Sequence, residues 1–126
     1  MAAQNIAALL KSLSRKDYCY LTTTGRVTGR LHEIEIWFGT SGDSIYLLSG
    51  GGRESDWVKN LLANPSVAIR IAERHFRGMA RLVSDKSEDS MARQLLATKY
   101  YRWREGRPLN EWARTATPVA IQLSPK

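Results

Sequence analysis

The segment LTTTGRVTGRLHEIEIWF, Leu21–Phe38, decides how this chain folds. Both of its ends have β character. Tyr18 to Thr24 is rich in Tyr and Thr, residues that suit a pleated, half-buried surface. Downstream, Ile34, Ile36 and Phe38 alternate with Glu33, Glu35 and Trp37, which places the two sets on opposite strand faces. Between the strands lies GRVTGR, Gly25–Arg30. A hairpin needs only a short turn, so the extra residues point to chemistry. Arg26 and Arg30 can pair with phosphate or carboxylate oxygens in fork geometry. Thr28 adds a hydroxyl, and glycines such as Gly29 let backbone N–H groups approach an anion. The alternative is a hairpin turn with solvated arginines.

Working outward, Ile6, Leu9, Leu10 and Leu13 fall on one helical face ahead of the first strand. After Phe38, GTSGD (Gly39 to Asp43) reads as a turn and SIYLLS (Ser44 to Ser49) as a third strand. GGGRESDW follows, with Ser55 or a neighbour placed to cap a helix through Trp57, Val58, Leu61 and Leu62. Asn64-Pro65 ends that helix. Val67, Ile69 and Ile71 make a fourth strand. Glu73-Arg74 turns the chain into a fifth strand, Phe76 to Val83. Asp85 or Ser87 opens a helix of roughly four turns that carries Met91, Leu95 and Leu96 inward to about Trp103. REGRPLNEW reads as an irregular loop, and Val119, Ile121 and Leu123 as the last strand. Mostly adjacent antiparallel strands with interspersed helices predict a mostly β, α+β chain: a small barrel of about six strands, as one domain over 1–126.

Composition narrows the partners. Nineteen Lys and Arg against twelve Asp and Glu leave a net charge of +7, which favours a polyanionic ligand or surface. The apolar content of 43% supports one real core without a staple. The single cysteine, Cys19, allows no internal disulfide and fits a reducing compartment. No apolar run approaches the roughly 20 residues of a membrane span, so no integral membrane contact is expected. The order of charge and apolarity near the start differs from a secretion signal. A cytoplasmic location is the expectation.

No self-sufficient catalytic set stands out. With His32, His75 and one cysteine, no zinc-ligand spacing is present and no metal is expected. Cys19 in an apolar strand reads as core, and Glu33 with Glu35 as surface carboxylates. No phosphate-cradling loop of Walker type occurs. What remains beside GRVTGR is SGGGRESDW, Ser49–Trp57, a glycine loop leading to a helix N-terminus where dipole and free N–H groups favour negative charge. Arg53 adds a cation there. The alternative is a flexible loop before a capped helix. The two segments flank the same strands and are expected to converge on an anion. Trp37, Trp57, Trp103 and Trp112, with Tyr100 and Tyr101, either wall a planar ligand or fill the core.

LTTTGRVTGR, then LLSGGGRESDWVKNLLANPSVAIRI, then WARTATPVAIQL resemble, in that order, the deazaflavin-dependent nitroreductase family. The likeness runs from about Tyr18 to Leu123. It implies the split β-barrel of pyridoxamine-phosphate-oxidase-like proteins and coenzyme F420, an 8-hydroxy-5-deazaflavin with a phosphate and a polyglutamate tail. By the same resemblance, Arg26, Thr28, Gly29 and Arg30 match the phosphate-and-tail region, and His32 a basic position near it. Ser49, Gly50, Gly51 and Trp57 match the stretch along the ring, and Asn60 a residue supporting the helix start. Val27 and Gly50 stand where the family commonly has cations, with Arg30, Arg53 or Lys59 as substitutes. The implied reaction is hydride transfer to a small electrophile such as a nitro or enone compound, with the proton coming from solvent or from a nearby tyrosine, Tyr100 or Tyr101. FMN in the same barrel and a non-catalytic deazaflavin carrier are the rival readings. Nucleic-acid binding through Arg70, Arg74, Arg77 and Arg81 fits less well, because aromatic and basic residues do not interleave on one face. A homodimer is plausible.

Overall fold

The computed structural model describes residues 5–125, so the sequence-based domain span of 1–126 extends past it at both ends. The elements are α1 (Ile6–Leu13), β1 (Cys19–Thr24), β2 (Leu31–Ile36), β3 (Gly39–Ser41), β4 (Ser44–Ser49), α2 (Asp56–Ala63), β5 (Ser66–Ile71), β6 (Arg74–Leu82), α3 (Lys86–Tyr101), α4 (Glu111–Thr115) and β7 (Thr117–Pro125). The seven strands form one sheet in the order β2-β1-β5-β6-β7-β4-β3. Every neighbouring pair is antiparallel. The sheet curls on itself as a split barrel, and β2 and β3 are its edges.

Alternation sends Leu21, Ile45, Leu47, Ile69, Ile71, Val119 and Ile121 into the barrel interior, each at most 1% exposed. Phe38 and Leu10 close that core, with Val58 and Leu61 of α2. A smaller cluster lies on the other side of β4, where Tyr46 and Leu48 meet Ala92 and Leu96 of α3. Strand β4 is therefore buried on both faces, which explains why SIYLLS runs apolar instead of alternating. The outer cluster is fastened by polar groups: Arg81 donates twice to Glu88, at 2.9 and 2.7 Å, and the Tyr46 hydroxyl donates to the same carboxylate at 2.6 Å. Arg81 and Tyr46 together hold the Glu88 carboxyl below its ordinary range.

The fold departs from the sequence expectation in four places. GTSGD is not only a turn: Gly39–Ser41 pairs with β4, and Gly42 at φ 61 makes the bend. Three residues are too few to show a period. The β5–β6 turn sits one residue earlier than expected, with Ala72 at φ 54 and Arg74 already in the strand. Within REGRPLNEW, Glu111 and Trp112 already belong to the short helix α4. On α3, Ala92, Leu96 and Ala97 are buried, whereas Met91 and Leu95 are half-buried. Asp85 caps that helix, its carboxylate accepting from the Glu88 N–H at 2.9 Å.

Candidate functional site

GRVTGR closes on itself before it offers anything to a ligand. The Gly25 N–H donates to the Arg30 carbonyl at 2.7 Å, and the Gly29 N–H donates to the Gly25 carbonyl at 2.9 Å. Gly29 sits at φ 75, where a side chain would be strained. A Cβ at Gly25 would lie 2.8 Å from His32 Nε2 and 3.1 Å from the Arg30 carbonyl. Glycine thus lets the imidazole fold back over the loop. The Thr28 Oγ1 accepts from the Arg30 N–H at 3.2 Å, which leaves its own proton free to donate.

This loop faces α2 across a cleft of about 630 Å³, lined by Arg26, Thr28, Leu31, His32, Glu33, Asp56, Trp57 and Asn60 among others. The buried Asn60 is the latch. Its Oδ1 accepts from the Arg26 backbone N–H at 3.2 Å and from Arg26 Nη1 at 2.7 Å, and its Nδ2 donates to Thr23 Oγ1 at 3.3 Å. Arg26 Nη2 lies 3.2 Å from Asp56 Oδ1, a carboxylate whose side chain is 87% exposed. Asn60 therefore ties the helix to the β1–β2 hairpin rather than supporting the helix start.

A second cleft, of about 280 Å³, is lined by Glu35, Ile36, Trp37, Leu48, Tyr101 and Trp112. The Trp37 and Trp112 rings meet edge-on at 5.5 Å, and Tyr101 lies 5.9 Å from Trp112. Trp37 is stacked on Tyr100 at 4.3 Å with an interplanar angle of 3°. The Tyr100 hydroxyl is committed to backbone: it accepts from the Phe38 N–H at 3.0 Å and donates to the Asp17 carbonyl at 2.7 Å, with the Phe38 carbonyl at 3.1 Å. Burial pushes it up to about 12. Tyr100 is thus placed to hold Trp37, and Tyr101 is the tyrosine that reaches the cleft.

The two clefts are continuous along the chain. Leu31 to Ile34 line the first, and Glu35 to Trp37 line the second. Among the described residues β2 is an edge strand, and no strand pairs with its outer side.

Arg26, Thr28, His32, Trp57 and Asn60 share the lining of the first cleft. The structure keeps Arg30 and Arg53 exposed and off both cleft linings. The candidate cation Lys59 pairs with Glu54 at 3.2 Å. Ser49, Gly50 and Gly51 line neither cleft. The buried Ser49 hydroxyl donates to the Gly52 carbonyl at 2.8 Å and lies 2.8 Å from Ser55 Oγ. Ser55 occupies the N-cap position of α2 but makes no side-chain cap bond, contrary to expectation. A Cβ at Gly51 would sit 2.5 Å from Ser55 Oγ, whereas one at Gly50 would meet Trp112 at 3.8 Å. The sequence reading missed Asp56, Thr23 and Leu48. Nothing in the spacing of Asp56 or Thr23 reveals a partner thirty or more residues away; Leu48 looks like ordinary core.

This curled antiparallel sheet, with its clefts strung along an open edge strand, defines a split-barrel protein. The chain belongs to the F420H(2)-dependent quinone reductase family, whose model matches residues 1–117. It is therefore an oxidoreductase that works with coenzyme F420. Solved structures share the fold. A candidate 5-nitroimidazole antibiotic resistance protein from Bacteroides thetaiotaomicron is 17% identical with a TM-score of 0.74, the match covering 97% of this chain and 82% of that one. An F420-H2 dependent reductase is 18% identical with a TM-score of 0.63, over 86% and 95%. A domain-swapped dimer is 18% identical with a TM-score of 0.64, over 93% and 94%. Among the described residues no helix is long and apolar enough to cross a membrane.

The residues present suit the cofactor. The tail and phosphate call for donors and cations, which Arg26, Thr28 and His32 supply. The glycine at position 25 leaves the space in which the His32 ring sits against the loop. The flat ring calls for aromatic walls; Trp57 of α2 lines the first cleft, and Trp37 and Trp112 line the second.

Proposed function

We propose that the chain reduces a planar, conjugated electrophile, a quinone, enone or nitro compound, seated against Trp37, Tyr101 and Trp112. One observation carries this reading: consecutive residues of β2 line first the cation-bearing cleft and then the aromatic one. In it, Arg26, Thr28, Gly29 and His32 bind the phosphate and tail, and Arg30 and Arg53 reach toward the tail's outer charges. Ser49, Gly50, Gly51 and Trp57 flank the ring. When bound, reduced F420 supplies a hydride at C5. Asn60 holds the Arg26 guanidinium at the cleft. Trp37 and Trp112 exclude water and orient the acceptor plane. The Tyr101 hydroxyl delivers the proton that accompanies the hydride, to an acceptor oxygen. Tyr100 keeps Trp37 in place through their stacked rings. A homodimer belongs to the same reading; the domain-swapped relative supports it, and sedimentation would test it.

The experiment is a titration of the purified protein with F420 and with FMN, followed by ligand fluorescence, then turnover of reduced F420 with a panel of quinones, enones and nitroaromatics. F420 binding with turnover of at least one planar acceptor is expected. F420 binding with no turnover anywhere in the panel overturns the assignment of the aromatic cleft.

A further inference from the structure

A third cleft, of about 510 Å³, lies away from β2, between α3 and β3. It is lined by Ser14, Thr40, Met91, Leu95, Lys99 and Trp103, together with Gly39 and the polar Gln94 and Thr98. Its walls are mixed in a particular way. Met91, Leu95 and Trp103 are half-buried apolar surface facing the opening. The only cation among them is Lys99. Its ammonium donates to the Phe38 carbonyl at 2.9 Å and rests 3.7 Å from the centre of the Phe38 ring and 5.0 Å from that of Tyr100. One N–H is thus used, and two remain. Among the described residues no carboxylate lies within ion-pair distance of Lys99. A half-buried ammonium with spare donors is costly without an anion.

We propose that this cleft is a second ligand site, for a small amphipathic carboxylate whose acid group meets Lys99 and whose apolar body lies along Met91, Leu95 and Trp103. The single point charge argues for a monoanion; a phosphate dianion calls for several cations or a guanidinium fork. The apolar walls argue for a body without further charge. This site shares no lining residue with the two clefts on β2. It is joined to them through the backbone, because Lys99 and Phe38 are direct chain neighbours of Tyr100 and Trp37.

Burial lowers the Lys99 ammonium to about 8, opposed weakly by Cys19 and Asp17. The titratable groups facing it are Asp17, Cys19 and Tyr100. Burial pushes Cys19 and Tyr100 up to about 12, so neither changes charge near pH 8. Carboxylate binding should therefore weaken as pH rises through 8, when the ammonium loses its proton.

Decanoate and decan-1-ol, below micellar concentration, make a matched pair of probes for calorimetry at pH 7. Saturable decanoate binding at least tenfold tighter than decanol is expected, unchanged by saturating F420 and weaker at pH 9. Lys99→Met should erase the preference. If that variant fails to fold, Met91→Glu serves: it should weaken decanoate at least tenfold more than it weakens decanol. Equal binding of acid and alcohol, no saturable binding, displacement of decanoate by F420, or unchanged decanoate binding in a folded variant would each overturn the proposal.

Discussion

Arg26 and Asn60, separated by thirty-four positions in sequence, are joined by two hydrogen bonds to one oxygen: the Arg26 backbone N–H at 3.2 Å and Nη1 at 2.7 Å both donate to Asn60 Oδ1. The contact docks the β1–β2 hairpin onto α2 and fixes where the guanidinium can sit. It also sets a competition, since the exposed Asp56 carboxylate pairs with the same guanidinium.

That competition has a direction. An exposed ion pair contributes little stability, so Asp56→Asn should leave the melting temperature nearly unchanged while freeing Nη2 for the cofactor. F420 should bind as tightly as to the wild type or tighter, and Arg26→Ala should bind it at least tenfold more weakly. Fluorescence titration of both variants decides. A weaker Asp56→Asn would show that the carboxylate holds Arg26 in place for the ligand.

Asn60→Ala leaves the Thr23 hydroxyl and the Arg26 N–H without their partner in a nearly buried place. A cost of about 1–3 kcal/mol follows. Denaturant unfolding should show it, together with weakened F420 binding; an unchanged midpoint would remove Asn60 from its role as latch.

The adjacent tyrosines should separate. Tyr101→Phe should lower kcat by roughly 10²-fold or more, as expected for a lost proton donor, with little change in stability. Tyr100→Phe removes bonds to Phe38 and Asp17 and should cost stability, with a smaller effect on kcat. The reverse pattern would return the proton to Tyr100.

Lys99 should leave a mark on stability against pH. Its folded value, about 8, lies below its ordinary 10.5, so above pH 8 the unfolded chain binds more protons. Stability should therefore rise with pH from 8, until the raised Cys19, ordinarily at 9.0, acts in the opposite sense. Between pH 8 and 9 the wild type should gain stability and Lys99→Met should stay flatter. Parallel profiles would contradict the burial of that ammonium.

Most strands are legible in the sequence because one face of each is buried and side chains alternate. Strand β3 is hidden because three residues carry no period, and β4 is recognisable by its continuous apolarity. The candidate site is legible in part. GRVTGR suggests anion chemistry by composition, whereas Trp57 and Asn60 are singled out as site residues only by the family resemblance. Which arginine is spent cannot be read that way: Arg26 meets Asn60 and Asp56 only after α2 packs on the hairpin. Arg81 meets Glu88, and Arg70 covers the Tyr20 ring at 4.1 Å, so two of the basic residues weighed for nucleic acid serve the fold. The same holds for the tyrosines, since nothing in KYYRW tells which ring turns inward.

The most direct measurement is a crystal structure of the protein with oxidised F420. The phosphate and tail are expected in the cleft of Arg26, Thr28 and His32, with the ring extending along β2 toward Trp37 and Trp112. A cofactor lodged away from β2, or lying in the opposite sense with its tail at Trp37, would contradict the account.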